Sequence, residues 1–223
     1  MQNFEIDSFT TKNGKNLNIT FFKHASLLLD YAGKKIFVDP VSEYANYTLQ
    51  PKADFILITH EHHDHFDPKA IVALETEETS IVTNPTCQKM LGKGQAMKNG
   101  EVIQLAPDIR IEAIPAYNTT PGREIYHPKG RDNGYILTLD DTRIYIAGDT
   151  EDIPEMEQIK DIDIAFLPVN QPYTMTPAQA IRAAKIIHPH ILYPYHYGDT
   201  DINQVKDGLK DEPEIEVRIR ALQ

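Results

Sequence analysis

Apolar residues along this chain fall in short runs rather than in long helical stripes. Residues 18–22, 26–31 and 34–38 each read as strands, and Ala32-Gly33 joins the last two like a hairpin. Asp39-Pro40 closes that unit. Residues 55–58, Phe-Ile-Leu-Ile, form a continuous apolar run, typical of a strand covered on both faces. Asp67-Pro68 then supplies an N-cap and a proline at the first helical position, predicting a helix near residues 69–74.

Further strands are expected at residues 80–83, 102–105 and 109–114. Residues 135–139 and 143–147 flank Asp140-Asp141 as a second hairpin. Residues 164–167 read as another buried strand, and 191–194 as a strand ending at Tyr195-His196. Thr176-Pro177-Ala178-Gln179 matches a capping box and opens the clearest helix, 177–187. Between them, residues 117–134 are polar and rich in Gly, Pro and charge, and loops of that length are often functional. No linker, low-complexity tract or short-period repeat interrupts the pattern. The expected architecture is one domain over residues 1–223: an α/β (α+β) fold of two packed sheets with helices outside.

Composition narrows the function classes. A chain of 223 residues can bury a substantial core, and 41% hydrophobic with 25% charged residues is ordinary for a globular protein. The formal net charge of −11 argues against binding a nucleic-acid backbone, which needs a basic excess. It leaves room for a phosphorylated small molecule, because a bound metal can reverse the local field. Cys87 is the single cysteine, so no intrachain disulfide can form, which fits a reducing, cytoplasmic location. No apolar run approaches the ~20 residues of a membrane span. The segment Met1 to Asp7 is polar and acidic, unlike a signal peptide. The expected partner is a small-molecule substrate, not nucleic acid or membrane; homo-oligomerisation stays open.

The chemistry concentrates in Thr59-His60-Glu61-His62-His63-Asp64-His65, directly after the apolar run 55–58. Four of the nine histidines lie there with two carboxylates. Histidine is the commonest metal ligand, and packing does not explain such density at a strand end. In extended chain His60 and His62 point the same way. Asp64 and His65 need a turn to aim at the same region. One ion cannot take all four groups from so short a stretch, whereas two ions ~4 Å apart could. A solvated polar tract is the bland alternative.

His60-Glu61-His62-His63-Asp64-His65 matches the H-x-H-x-D-H signature of the metallo-β-lactamase superfamily, which this chain resembles. Lys23-His24-Ala25-Ser26 followed by Ile36-Phe37-Val38-Asp39-Pro40 resembles the start of the branch of metal-dependent hydrolases related to L-ascorbate-6-phosphate lactonase. Ala147-Gly148-Asp149-Thr150 and Tyr195-His196-Tyr197-Gly198 match later superfamily positions. The resemblance implies a four-layer αβ/βα sandwich with the site at one edge of the sheets. It implies His60 and His62 on a first metal, Asp64, His65 and His196 on a second, and Asp149 bridging. Zinc is the first expectation and manganese the second, as one or two ions. His63 reads as an outward bystander, Glu61 as unassigned, and His188 and His190 as helix-end residues.

The pattern departs from the superfamily at one point. Most members place a further histidine on the first metal, where this chain has Asn118 in Ile114-Pro115-Ala116-Tyr117-Asn118. An amide oxygen is a weak, neutral ligand poorly suited to zinc. His127 could fold back and serve instead, or be a loop histidine. His24 either caps its turn or faces the site, and Asp39 could orient a ligand histidine through its other ring nitrogen.

The mechanism implied is hydrolysis by metal-bound hydroxide, with Asp64 orienting the attacking group and His24 and His127 as further catalytic candidates. Arg123, Lys129 and Arg131, in the loop 119–131, could recognise phosphate or carboxylate, or be solvated. They point to a small anionic ester, lactone or phosphoester. A redox or sulfur-transfer enzyme and a non-catalytic metal-binding regulator are the alternatives from other classes.

Overall fold

The computed structural model describes residues 3–223; Met1 and Gln2, the start of the N-terminal segment read above, lie outside the described residues. Two seven-stranded mixed sheets carry the fold. The first contains β1 (Glu5–Thr10), β2 (Asn16–Lys23), β3 (Ser26–Tyr31), β4 (Lys34–Val38), β5 (Phe55–Leu57), β6 (Ser80–Thr83) and β7 (Gln95–Ala96), in that spatial order. The second contains β8 (Val102–Ala106), β9 (Ile109–Ala116), β10 (Asp132–Leu139), β11 (Thr142–Ile146), β12 (Ile164–Pro168), β13 (Ile191–Tyr195) and β14 (Glu216–Val217), also in sequential order.

The two sheets share one plan. Each begins as an antiparallel meander of four strands, β1–β4 and β8–β11. Each continues through three parallel additions, β5–β7 and β12–β14. Parallel neighbours need crossovers. In the first half these carry α1 (Pro68–Leu74) and α2 (Pro85–Leu91), and in the second α3 (Pro177–Ile187) and α4 (Asn203–Gly208). This internal duplication is an architectural repeat that no short-period sequence pattern announced.

Alternation along the strands builds the layers. In β3, Leu27, Leu29 and Tyr31 face the core between the sheets, while Leu28 faces outward. In β4, Ile36 and Val38 face in and Phe37 faces out; in β5, Phe55 and Leu57 face in and Ile56 faces out. That is the two-residue period of a strand covered on both faces. Ala70, Ile71 and Leu74 of α1, with Cys87 of α2, cover the outward set. Ala180, Ala183, Ala184 and Ile187 of α3 close the second sheet in the same way. The result is the expected αβ/βα sandwich.

Helix starts follow the sequence signals. Asp67 accepts from the Lys69 N–H with Pro68 at the first position. Thr176 and Gln179 form the capping box of α3. The helix α2 and the strand β1 were not expected, and the predicted strand at residues 135–139 begins three residues earlier, at Asp132. Among the described residues no helix is long and apolar enough to cross a membrane.

Asp7 of β1 ties the first sheet to the C-terminal segment. Arg220 grips both its oxygens at 2.7 Å, and Arg218 and the Tyr193 hydroxyl also donate to it. Burial raises the Asp7 pKa, but the Tyr193 and Arg220 hydrogen bonds outweigh it and hold the carboxyl below its ordinary value. A depressed carboxylate contributes stability above its unfolded pKa of ~3.9 and loses it as pH falls through the folded value. Asp7→Asn is therefore expected to cost about 1–3 kcal/mol near pH 7, the range of charge-assisted hydrogen bonds. Urea midpoints of the two proteins should converge below pH ~4; a constant gap down to pH 3 would refute the linkage.

Candidate metal centre

All candidate side chains sit at one edge of the sandwich for a topological reason. β2, β4 and β5 run in one direction, so their carboxyl ends share an edge, as do those of β9, β11 and β13. His24 follows β2, Asp39 follows β4, and His60 to His65 follow β5. His127 lies in the loop after β9, Asp149 follows β11 and His196 follows β13. Ligand sites in open α/β sheets lie at strand carboxyl ends for the same reason.

Sharp backbone turns aim these groups. His24, Asp39 and His196 adopt positive φ of 57°, 42° and 49°. Non-glycine residues hold that conformation at a cost of about 1–3 kcal/mol each, and such strain clusters at functional sites. Just before Asp149, Gly148 has φ 66°, and a Cβ there would sit 2.8 Å from the Asn133 carbonyl oxygen. Only glycine lets the chain turn there. The Gly148 N–H donates to the Tyr195 hydroxyl at 2.9 Å.

The ligand-type atoms form two clusters. His60, His62, His127 and Asp149 bring one atom each within 4.8 Å of one another, as do His24, Asp64, His65 and His196. Asp149 stands between them. Its Oδ2 lies 3.3 Å from His127 Nε2, 3.3 Å from His196 Nε2 and 3.8 Å from His60 Nε2. Its Oδ1 lies 3.3 Å from His65 Nε2. In the second cluster, Asp64 Oδ2 is 3.1 Å from His24 Nε2 and 3.5 Å from His196 Nε2.

The grouping expected from the sequence is therefore extended by two residues. His127 stands with the first group and His24 with the second. Asn118 does not stand with either: its amide nitrogen donates to the Arg123 and Tyr173 carbonyls. It serves loop order, and its own N–H donates to the His127 carbonyl. His63 stands with neither group; its side chain is 95% exposed. Glu61 pairs with Arg131 at 3.1 Å.

Neighbours fix the rings. Asp39 takes the Thr59 hydroxyl at 2.6 Å and His65 Nδ1 at 2.8 Å. With its proton committed to Asp39, the Thr59 oxygen accepts from His60 Nδ1 at 3.0 Å. Asp132 accepts from His127 Nδ1 at 3.1 Å. In all three histidines the proton is held at Nδ1, and the Nε2 lone pair faces the site. Carboxylates placed this way fix the tautomer and raise ligand basicity. Asp39 has the orienting place read from the sequence. Asp132 was missed, because nothing in its local sequence marks it as the partner of a residue five positions earlier.

Electrostatics sharpen the requirement. Burial lowers the pKa of His60 and of His62. Burial opposes charge at His196 too, but Asp149 prevails and raises it to about 9. The Asp149 carboxyl is pushed up by burial and pulled down further by His196 and His65, to well below its usual range. Yet His60 Nε2, His65 Nε2, His196 Nε2 and Asp149 Oδ1 are buried without a hydrogen-bond partner. Buried polar atoms are almost always satisfied. Imidazole and carboxylate donors converging this way fit divalent metal ions.

Above the clusters lies a pocket of about 370 Å³, with Tyr126, Asn170 and Tyr173 among its walls. The three cations expected to read an anionic substrate are instead engaged by protein groups. Arg131 pairs with Asp132 at 2.7 Å, Lys129 with Glu155 at 2.7 Å, and Arg123 lies 3.6 Å from Glu151 and bonds Gln171.

The family model of the beta-lactamase superfamily domain matches residues 18–196. A UPF0173 metal-dependent hydrolase of Ligilactobacillus salivarius is 33% identical over 213 residues, covering 89% of this chain and 94% of the relative. A solved Parabacteroides distasonis structure, assigned by inference as a metal-dependent hydrolase, is 65% identical, with TM-score 0.97 and coverage of 99% and 100%. Igni18, a metallo hydrolase from Ignicoccus hospitalis, is 25% identical with TM-score 0.75 and covers 91% of this chain and 94% of its own. The chain is a metal-dependent hydrolase of the metallo-β-lactamase superfamily. Within that superfamily it belongs to the UPF0173 metal-dependent hydrolase family.

Asp132→Asn should weaken binding at the His127 cluster about 10–100-fold, the usual cost of losing a partner that orients a ligand. Calorimetric titration of the metal-free protein would read one site weakened and one retained. Equal loss at both clusters would show that Asp132 acts on the fold instead.

Proposed function

We propose that this enzyme hydrolyses an ester, lactone or phosphoester bond in a small molecule. The narrower form of the reading is a lactonase akin to L-ascorbate-6-phosphate lactonase. The observation that carries the proposal is the set of buried, unpartnered nitrogens and carboxylate oxygens converging beneath an accessible pocket. In this reading His60, His62, His127 and Asp149 hold a first divalent ion, and Asp64, His65, His196 and Asp149 a second. Zinc is the first candidate, given the imidazole-rich donor set, and manganese the second. Such ions lower the pKa of water enough for hydroxide to exist near neutral pH.

The chain's own groups do the rest. Asp64, at the pocket wall, accepts a hydrogen bond from the attacking water and orients it towards the substrate. His24 Nε2, 3.1 Å from Asp64 Oδ2, fixes that carboxylate and holds or passes a proton there. Asp39 and Asp132 keep His65 and His127 from turning. Tyr126, Asn170 and Tyr173 bound the space left for the substrate.

Chelation should abolish turnover, and restoring zinc or manganese should recover it. His60→Ala and Asp149→Ala should each lose bound metal together with at least 10²-fold in kcat/KM. Elemental analysis and a panel of esters, lactones and phosphoesters measure both. Full metal content in both variants would reject the ligand set. A strongly absorbing iron form that turns over none of the panel would favour a redox enzyme instead.

A further inference from the structure

We propose that the pocket takes an uncharged substrate whose aryl or alkyl group seats on Tyr126 and Tyr173, with the Asn170 amide hydrogen-bonding its polar part. The proposal rests on the hydrolase reading above and names its substrate class.

Apart from the clustered ligand-type groups, the pocket is walled by Tyr126, Tyr173 and Asn170, with the exposed His63 at its rim. Tyr126 and Tyr173 meet edge to face, ring centroids 5.0 Å apart at 73°. Tyr173, in the pocket wall, is 44% exposed, so apolar surface stands open beside the reaction centre. Such surface gains by covering an apolar group, and aromatic pairs add a preferred edge or stacked geometry. Asn170 offers the pocket a side-chain amide. Gly198 lets it approach: a Cβ at that position would sit 3.2 Å from the Asn170 amide oxygen.

Charge disfavours an anionic group remote from the scissile bond, and with it the narrower L-ascorbate-6-phosphate lactonase form of that reading. Among the described residues no lysine or arginine lines this pocket, whereas Asp64 and Asp149 do. Arg123, Lys129 and Arg131 are held by Glu151, Glu155 and Asp132. A phosphate remote from the scissile bond would lose its hydration and meet no compensating cation. The formal charge of −11 adds repulsion at long range. A pocket of about 370 Å³ accommodates a phenyl ring with a short acyl chain. Hydrolysis of such an ester breaks the acyl carbon–oxygen bond. The water oxygen joins the acyl carbon, one proton goes to the released phenol oxygen, and the second leaves with ionisation of the acid.

The test uses the metal-loaded protein and a matched pair of ketones that cannot be hydrolysed, butyrophenone and 4-(phosphonomethyl)butyrophenone. Ligand-observed NMR titration should show the uncharged ketone binding at least tenfold more tightly. Tyr173→Ala should erase most of that preference and Tyr173→Phe should keep it; Asn118 contacts only the Tyr173 backbone carbonyl, so neither change breaks that bond. Equal or tighter binding of the phosphonate, or unchanged binding in Tyr173→Ala, overturns the proposal. The corresponding phenyl butyrates separate it from the hydrolase reading. Selective ketone binding without turnover of any ester rejects the ester reading while supporting this recognition, and faster turnover of the phosphonate ester rejects this recognition alone.

Discussion

The structure depends on one buried carboxylate. Asp149 is almost inaccessible, and its two oxygens face ring nitrogens of His60, His65, His127 and His196. An isolated ion in such a place would cost many kcal/mol; it persists only if paired. The surrounding imidazoles balance part of that charge without hydrogen-bonding its Oδ1, and the same charge holds His196 up at about 9. Protons and metal ions therefore compete for the same Nε2 lone pairs. Metal binding to such a site releases protons and couples to folding.

Satisfying Asp149 demands groups far apart in sequence, and the duplicated sheet plan delivers them. Each half directs the carboxyl ends of its parallel strands to the same edge. The first half contributes His60 to His65 and Asp39, and the second contributes His127, Asp149 and His196. The halves share topology but not chemistry. The cost is local: three non-glycine residues in left-handed backbone and a glycine that tolerates no Cβ. The many ladder bonds around them overdetermine those turns.

Much of this was legible in the sequence, for physical reasons that differ by element. Strands β3 to β5 and β11 to β13 have dense apolar patterns because both faces are covered. α3 carries a complete capping box, so its limits fall at Pro177 and Ile187 as predicted. β1, β7 and β14 lie at sheet edges or are two residues long, and their exposed positions carry no apolar alternation. α2 had its signals, Asn84 as N-cap, Pro85 and Gly92 at the C-cap, but only seven residues of pattern between them. At the site, the cluster after β5 was legible because its groups are contiguous. His127 was not separable from Asn118, because the choice lies in how a fifteen-residue loop folds back between β9 and β10.

That loop shows why its charges say little about the substrate. Glu151, two residues beyond Asp149, is fully buried and accepts the N–H groups of Thr119 and Thr120 and the Thr119 hydroxyl. Its own N–H donates to the Tyr117 carbonyl. The turn that presents Asp149 thus also anchors the start of the loop that presents His127. Arg131 completes the other end by clamping Asp132, which in turn holds His127 Nδ1. The basic residues are consumed in ordering a long polar segment, a task that buried or half-buried ion pairs perform by fixing geometry more than by adding stability. Of this loop's side chains, Tyr126 and His127 line the pocket. Charge in this loop builds the site.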